Sequence, residues 1–128
     1  EVLMFKSVMS QVDPQIPLVC LCGNHDVGYL PGRASIQLYR SRFGDDYLEF
    51  WAGGSRCIVL NSSLIAAQKK SNGDSEVTKL AAEQNEWLDN ALASEAEPAK
   101  NCSSAASSNQ THVAPAFVFS HTPPFIFD

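Results

Sequence analysis

The sequence predicts an α/β fold, because helical and strand-like hydrophobic patterns alternate along the chain. Apolar residues recur at helical spacing over residues 1–12, which predicts an amphipathic helix. Asp13-Pro14 ends this helix, since proline disfavours helical backbone in the residue before it. Residues 16–22 are apolar on both faces, as in a strand buried inside a parallel sheet. A helix, a short break and a buried strand together make an αβ unit.

The next elements are a helix and a hairpin. Residues 34–43 carry apolar side chains on one face and are followed by Gly44, a typical helix C-cap. Two β-rich runs, 47–51 and 56–60, flank a pair of glycines, Gly53-Gly54. Strand-like runs around Gly-Gly predict a β-hairpin.

The last third of the chain contains the clearest helix and a second buried strand. Residues 76–93 show one apolar stripe, and their opposite face is acidic and solvated. Residues 94–112 are rich in Ala, Ser and Asn, so they cannot bury enough surface to offset the cost of ordering, and we expect a mobile inserted loop. The apolar run 113–119 then predicts a strand that ends just before His121.

Composition limits the classes of function. The 128 residues carry a net charge of −5, so we expect no nucleic-acid partner, which would need a basic face. The apolar runs are far shorter than the roughly 20 residues of a membrane span, so we expect no membrane partner either. Cys20, Cys22 and Cys57 stand in apolar runs and are predicted to be buried free thiols.

The residues that carry chemistry follow the two predicted buried strands. Gly23-Asn24-His25-Asp26 comes directly after the first strand, at the carboxyl end where α/β sheets bind ligands. Asn24 offers an amide oxygen to a divalent metal, His25 offers a proton near neutral pH, and Asp26 is placed to fix the tautomer of His25. His121 follows the last strand and is held by Thr-Pro-Pro, so we expect it to meet Asn24 in a shared crevice.

The same residues also fit structural roles. A Gly-Asn pair is common in turns, and Asp26 is suited to cap a helix. Cys20-x-Cys22 with His25 suggests a zinc site, but no second Cys/His pair follows at zinc-ligand spacing. Phosphate-binding P-loop and nucleophile-elbow motifs are absent from the sequence.

At these positions the sequence resembles the calcineurin-like metallophosphoesterases. Gly23-Asn24-His25-Asp26 resembles their GNHD or GNHE motif, and Ser120-His121-Thr122-Pro123 resembles their later H-x-P motif. Further motifs occur in the same order as in the cytosolic CPPED-type proteins of that family: Gly44-Asp45-Asp46-Tyr47, Phe50-Trp51-x-Gly53-Gly54, Leu60-Asn61-Ser62 and Glu83-Gln84-x-x-Trp87-Leu88.

The resemblance implies a four-layer α/β sandwich, that is, a β-sandwich flanked by helices, with two divalent metal ions (Mn, Fe or Zn) at the strand ends. Asn24 and His121 would be ligands of the second metal. His25, with Asn24, would contact the phosphate and assist protonation of the leaving group, and Asp26 would support His25. The implied reaction is attack of a metal-activated hydroxide on a phosphomonoester, including phosphoserine and phosphothreonine proteins, in the cytoplasm.

The chain also departs from the family pattern. It lacks the early D-x-H motif, the G-D motif whose Asp bridges the metals, and the late G-H-x-H motif. Gly44-Asp45 follows the GNHD motif, which is the wrong order, and Gly73-Asp74 lies in a polar stretch. We therefore expect residues 1–128 to be the central part of a metallophosphoesterase domain, without a complete site. The alternatives are a phosphodiesterase on the same scaffold and a non-catalytic binding protein of the same fold.

Overall fold

A computed structural model describes residues 1–71, 75–94 and 116–123. The elements in chain order are α1 (Val2–Met9), α2 (Asn24–Val27), α3 (Arg33–Phe43), β1 (Leu48–Ala52), β2 (Ser55–Leu60), α4 (Ser62–Gln68), α5 (Glu76–Ala93) and β3 (Ala116–Ser120). The predicted α/β class is confirmed. The described strands form one sheet in the order β1-β2-β3, and the four-layer sandwich stays a prediction.

The predicted hairpin is confirmed and is formed by β1 and β2. Ala52 lies opposite Ser55, so only Gly53 and Gly54 connect the two antiparallel strands. Their φ angles are +58° and +78°. Positive φ at both central residues is the requirement of a type I′ turn, whose twist matches that of the strands.

β2 is the central strand of the sheet and positions the candidate site. It pairs antiparallel with β1 and parallel with β3, with Leu60 opposite Ser120. Its last five residues are buried, among them Cys57, as predicted for a free thiol in the core. Because β2 and β3 are parallel and in register at Leu60 and Ser120, the residues after both strands emerge at the same edge of the sheet.

Three helices pack together beside the sheet. The predictions for α3 and α5 are confirmed, and α3 ends at Phe43 with Gly44 as its C-cap. α4 was not predicted from the sequence. One buried cluster joins the three helices: Ile36, Leu64, Ala67, Val77, Leu80 and Ala81. At the start of α3, the backbone N–H of Arg33 donates to Glu76 on α5 (3.2 Å), and its guanidinium pairs with Glu83 (3.1 Å).

The predicted strand over residues 16–22 is wrong. These residues have no strand structure, and Cys20 is only half-buried, although Cys22 is fully buried as predicted. The apolar side chains that suggested a buried strand are 38–58% exposed: Ile16, Leu18, Val19 and Leu21. A strand needs a neighbour that accepts and donates its backbone hydrogen bonds, and the described sheet places none beside this segment. The helix predicted over residues 1–12 is present as α1, but it ends at Met9 and not at Asp13-Pro14.

Part of the sequence-based prediction lies outside the described residues. The loop predicted at 94–112 is described only at Ser94, and the strand predicted over 113–119 is confirmed from Ala116 onward as β3. Gly73-Asp74 and Cys102 are also outside the described ranges. Within those ranges, the helices are all too short or too polar to cross a lipid bilayer.

Candidate functional site

The GNHD sequence forms a single helical turn, α2. Gly23 is its N-cap, and the backbone N–H of Gly23 donates to Oδ2 of Asp26 at 2.8 Å. The backbone N–H of Asp26 donates in return to the carbonyl of Gly23 at 3.0 Å. The helix-cap role considered for Asp26 is therefore confirmed. Because this bond closes the turn, it fixes the backbone of Asn24 and His25 between its two ends.

Asn24 and His121 meet, as the sequence predicts. Nε2 of His121 lies 3.0 Å from Oδ1 of Asn24. This separation is that of a hydrogen bond when Nε2 carries the ring proton, and it leaves both atoms free to bind an ion when the proton is on Nδ1. The two side chains come from α2 and from the residue after β3, so the sheet and the α2 turn together bring them to one place.

Gly23 permits this contact by having no side chain. A Cβ at residue 23 would lie 3.0 Å from both Cε1 and Nε2 of His121. Glycine at this position therefore allows the imidazole of His121 to approach the backbone closely.

His25 and Asp26 line a cavity of about 450 Å³ between α1, α2 and α3. The described lining also includes Tyr39 and Arg42, but neither Asn24 nor His121. His25 is exposed, and its ring contacts that of Tyr29 edge-to-face, with the centroids 6.1 Å apart. The structure thus places His25 and Asp26, the predicted acid–base residues, beside a cavity. Asn24 and His121, the predicted metal ligands, lie together outside the lining of that cavity.

Two groups next to α2 are held in their neutral forms. Burial, and after it the nearby carboxylates of Asp46 and Asp26, raise the pKa of the Cys22 thiol to about 12. Burial also raises the pKa of the Tyr39 hydroxyl well above its usual range. The Tyr39 hydroxyl is buried with no hydrogen-bond partner among the described residues. Both groups therefore stay protonated at neutral pH.

A buried polar cluster of Asp46, Asn61 and Gln84 lies where β2 ends and α4 begins, and the exposed side chain of Arg40 contacts it. Oδ1 of Asp46 accepts from Nε of Arg40 at 2.6 Å, and Oδ2 accepts from Nδ2 of Asn61 at 2.8 Å. The backbone N–H of Asn61 donates to Oε1 of Gln84 at 2.8 Å. Burial opposes the charge on Arg40, but the hydrogen bond to Asp46 and its charge prevail and raise the pKa of the guanidinium.

The geometry of Asn24 and His121 fits two neighbouring ligands of one divalent ion. Two ligand atoms that each lie about 2.1 Å from an ion at right angles, as in octahedral coordination, are about 3.0 Å apart. The observed separation of Oδ1 and Nε2 is 3.0 Å. Within the described ranges, no three His, Cys, Asp or Glu side chains converge on one point. The roles of Asn24 and His121 as metal ligands, and of His25 and Asp26 in catalysis, stay predictions.

Sequence reasoning missed Ser62 and Asn61 as parts of this region. Ser62 Oγ accepts from the backbone N–H of Thr122 at 2.9 Å, next to His121. The Leu60-Asn61-Ser62 motif was the available signal, but nothing in the sequence shows that Ser62 lies beside Thr122. That proximity depends on the pairing of β2 with β3.

The curated proteins that match this chain share one name. The human protein named serine/threonine-protein phosphatase CPPED1 is 34% identical over 121 residues, which is 94% of this chain and 32% of the human protein. The proteins of the same name from Rattus norvegicus and Danio rerio are 33% identical over 119 residues and 38% identical over 87 residues. The chain spans about a third of the length of the human and rat relatives. No family model matches the chain. No solved structure matches it either.

Proposed function

This chain belongs to the CPPED-type calcineurin-like phosphoesterases, and we propose that it is the central part of a metal-dependent phosphomonoesterase domain. The proposed substrates are phosphoserine or phosphothreonine proteins or small phosphoesters. The relatives are named serine/threonine-protein phosphatases, which supports this class of substrate. The proposal includes a cytoplasmic location, as the resemblance implies.

The contact between Asn24 and His121 carries the proposal. These residues are 97 positions apart, yet their side-chain oxygen and nitrogen lie 3.0 Å from each other. An amide oxygen and an imidazole nitrogen at this separation suit Mn, Fe or Zn equally. We assign Asn24 and His121 as two ligands of one ion in a centre of two divalent ions. The remaining ligands would come from residues outside the described ranges.

His25 is the proposed acid that protonates the leaving oxygen. When bound, divalent ions activate water and stabilise the negative charge of the reacting phosphoryl group. His25 follows Asn24 on the same turn and is exposed, so it is accessible to a substrate. Asp26 supports His25 by closing the turn through the N–H of Gly23. Asn24 and His25 would together contact the phosphate group.

Replacement of His25 tests the proposed reaction. In the complete protein, we expect His25→Ala to lower kcat for p-nitrophenyl phosphate by about 100-fold or more, as for loss of a general acid. Metal content, measured by elemental analysis, should stay unchanged, because His25 is not a proposed ligand. Gln37→Ala, at an exposed position on α3, is the control and should leave both quantities unchanged.

Further variants and substrates separate the alternatives. Asn24→Ala and His121→Ala should each lower metal content. Full activity in His25→Ala would contradict the role of His25. Faster turnover of bis-p-nitrophenyl phosphate than of the monoester would indicate a phosphodiesterase. Turnover of neither substrate by metal-loaded protein would indicate a non-catalytic binding protein.

A further inference from the structure

We propose that Ser62 is a positioning residue for His121: its hydroxyl fixes the turn that presents the imidazole to Asn24. The inference rests on the proposed role of His121 as a metal ligand. It is carried by the hydrogen bond from the backbone N–H of Thr122 to Oγ of Ser62, 2.9 Å long.

The hydroxyl of Ser62 continues the pairing of β2 and β3 beyond the ends of the strands. Leu60 lies opposite Ser120 in the parallel register, so Ser62 would come opposite Thr122 two residues later. β2 does not continue to that point, because α4 begins at Ser62. The hydroxyl of Ser62 accepts the hydrogen bond from the backbone N–H of Thr122. In a longer β2 strand, a backbone carbonyl would accept this bond instead.

Ser62 is itself held firmly by its neighbours. Before it, Asn61 is fully buried and is bound to Asp46 and Gln84 through the polar cluster. After it, the backbone N–H of Ser63 donates to Oδ1 of Asn61 at 3.1 Å. Ser62 is 2% exposed, so its hydroxyl is fixed in the protein interior. It therefore provides a rigid acceptor for the turn that follows β3.

The turn after β3 has one further local hydrogen bond among the described residues. Oγ of Ser120 donates to the carbonyl of Thr122 at 3.1 Å, so this bond lies within the turn and does not attach it to the rest of the fold. The bond from Thr122 to Ser62 joins the turn to α4. Without it, the attachment of His121 would depend on β3 and on its contact with Asn24.

Ser63 provides a matched control for Ser62. It is also buried, on the same helix, but its Oγ has no hydrogen-bond partner among the described residues. Ser62→Ala and Ser63→Ala therefore remove the same atom from adjacent buried positions. Only the first removes a bond to the turn that carries His121.

Metal affinity is the first readout. In the complete protein, titration of the metal-free form with Mn²⁺ in a calorimeter should give about tenfold weaker binding for Ser62→Ala, as for loss of a residue that orients a ligand. Ser63→Ala should bind Mn²⁺ as the unchanged protein does. His121→Ala and Asn24→Ala, measured in the same way, report whether these side chains bind the ion at all.

The second readout does not depend on metal. The ring ¹⁵N resonances of His121, assigned by their loss in His121→Ala, should shift in metal-free Ser62→Ala and stay in place in Ser63→Ala.

Unchanged resonances and unchanged affinity in Ser62→Ala would overturn the inference, as would equal effects in Ser63→Ala. Unchanged affinity in Ser62→Ala would also overturn it if His121→Ala weakens binding. If His121→Ala and Asn24→Ala leave Mn²⁺ affinity unchanged, the proposed metal site is wrong, and the ring resonances alone decide the role of Ser62.

Discussion

At residue 23, a single methyl group would separate the two halves of the candidate site. The chain there has extended backbone, with φ −113° and ψ 174°, which any residue can adopt. What requires glycine is the imidazole of His121, two atoms of which lie 3.0 Å from the position of a Cβ. A Cβ at this distance is closer than in most real contacts, so the exposed ring of His121 would have to shift by a few tenths of an ångström.

We expect Gly23→Ala to displace the ring of His121 and so separate it from Asn24. The physical reason is steric, so the effect should appear as weaker binding of divalent metal, by about tenfold or more. Calorimetric titration of the complete protein with Mn²⁺ measures this effect. Unchanged affinity would show that the ring of His121 moves without loss of the site.

Gly32→Ala is the control for this substitution. Gly32 is also an N-cap glycine, with nearly the same backbone angles, φ −106° and ψ 170°. A Cβ there would meet Oε2 of Glu76 at 2.9 Å, and that atom is the end of a flexible side chain that can turn away. Gly32→Ala should therefore leave metal affinity unchanged. A loss equal to that of Gly23→Ala would point to a general effect of alanine at N-caps.

The residues of the site were partly predictable from the sequence. Asn24 and His121 each follow an apolar run, and polar residues at strand ends of α/β proteins tend to converge. The prediction of their contact is confirmed, although the run before Asn24 is not a strand. Ser62 and the unpaired hydroxyl of Tyr39 were not predicted, because their surroundings come from distant parts of the chain.

At the scale of elements, the buried polar cluster joins α3, α5 and the residues that flank the hairpin. Asp46 precedes β1, and its carboxylate holds Arg40 of α3 and Asn61, the N-cap of α4. Its side chain is fully buried. A buried carboxylate is tolerated only when its oxygens are hydrogen-bonded, and here both are.

We expect Asp46→Ala to lower the free energy of unfolding by about 3 kcal/mol, since it leaves Asn61 and Arg40 without their acceptor. Asp45→Ala, at the adjacent exposed position, should change it by less than about 0.5 kcal/mol. Urea denaturation of the complete protein measures both values. Equal effects of the two substitutions would contradict the assigned role of Asp46.

The elements differ in how well local sequence determines them. The hairpin was predicted correctly because Gly53-Gly54 supplies positive φ at both turn positions, a purely local requirement. α4 was missed because its seven residues begin with two serines and its start is fixed by the cap and buried contacts of Asn61. Residues 16–22 were predicted wrongly because an apolar run supplies no partner strand, and the described sheet places none beside it.

At the scale of the whole molecule, a bound ion would join α2 to the end of β3. Ligands that bind only the folded protein stabilise it by a free energy that grows with the logarithm of their concentration over the dissociation constant. Asn24 and His121 lie far apart in sequence, so the unfolded chain would not hold them together. The proposed site therefore couples metal binding to the stability of the fold.

We expect removal of metal by EDTA to lower the unfolding free energy of the complete protein by about 2.7 kcal/mol, relative to protein with free metal at 100 times its dissociation constant. His121→Ala should show a smaller difference between the two conditions. Thermal or urea unfolding with and without EDTA measures this effect. An equal EDTA effect in His121→Ala would show that the stabilising ion binds elsewhere.

The architecture as a whole was predictable only as a class. Alternating helical and strand patterns predicted α/β correctly, but the order β1-β2-β3 and the parallel register of β3 depend on contacts between residues about 60 positions apart. Such pairing is decided by the energy of the assembled sheet and not by local patterns. The position of His121 relative to Ser62 follows from that register.

The register of β3 also determines which changes in chain length the site tolerates. His121 is placed by the pairing of Ser120 with Leu60, and not by the number of residues between α5 and β3. The entropy cost of closing a chain connection grows slowly with its length, by about 0.6 kcal/mol for each doubling. Insertions and deletions in that connection are therefore compatible with an unchanged site, whereas a slip of β3 by a single residue would turn His121 to the opposite face of the sheet.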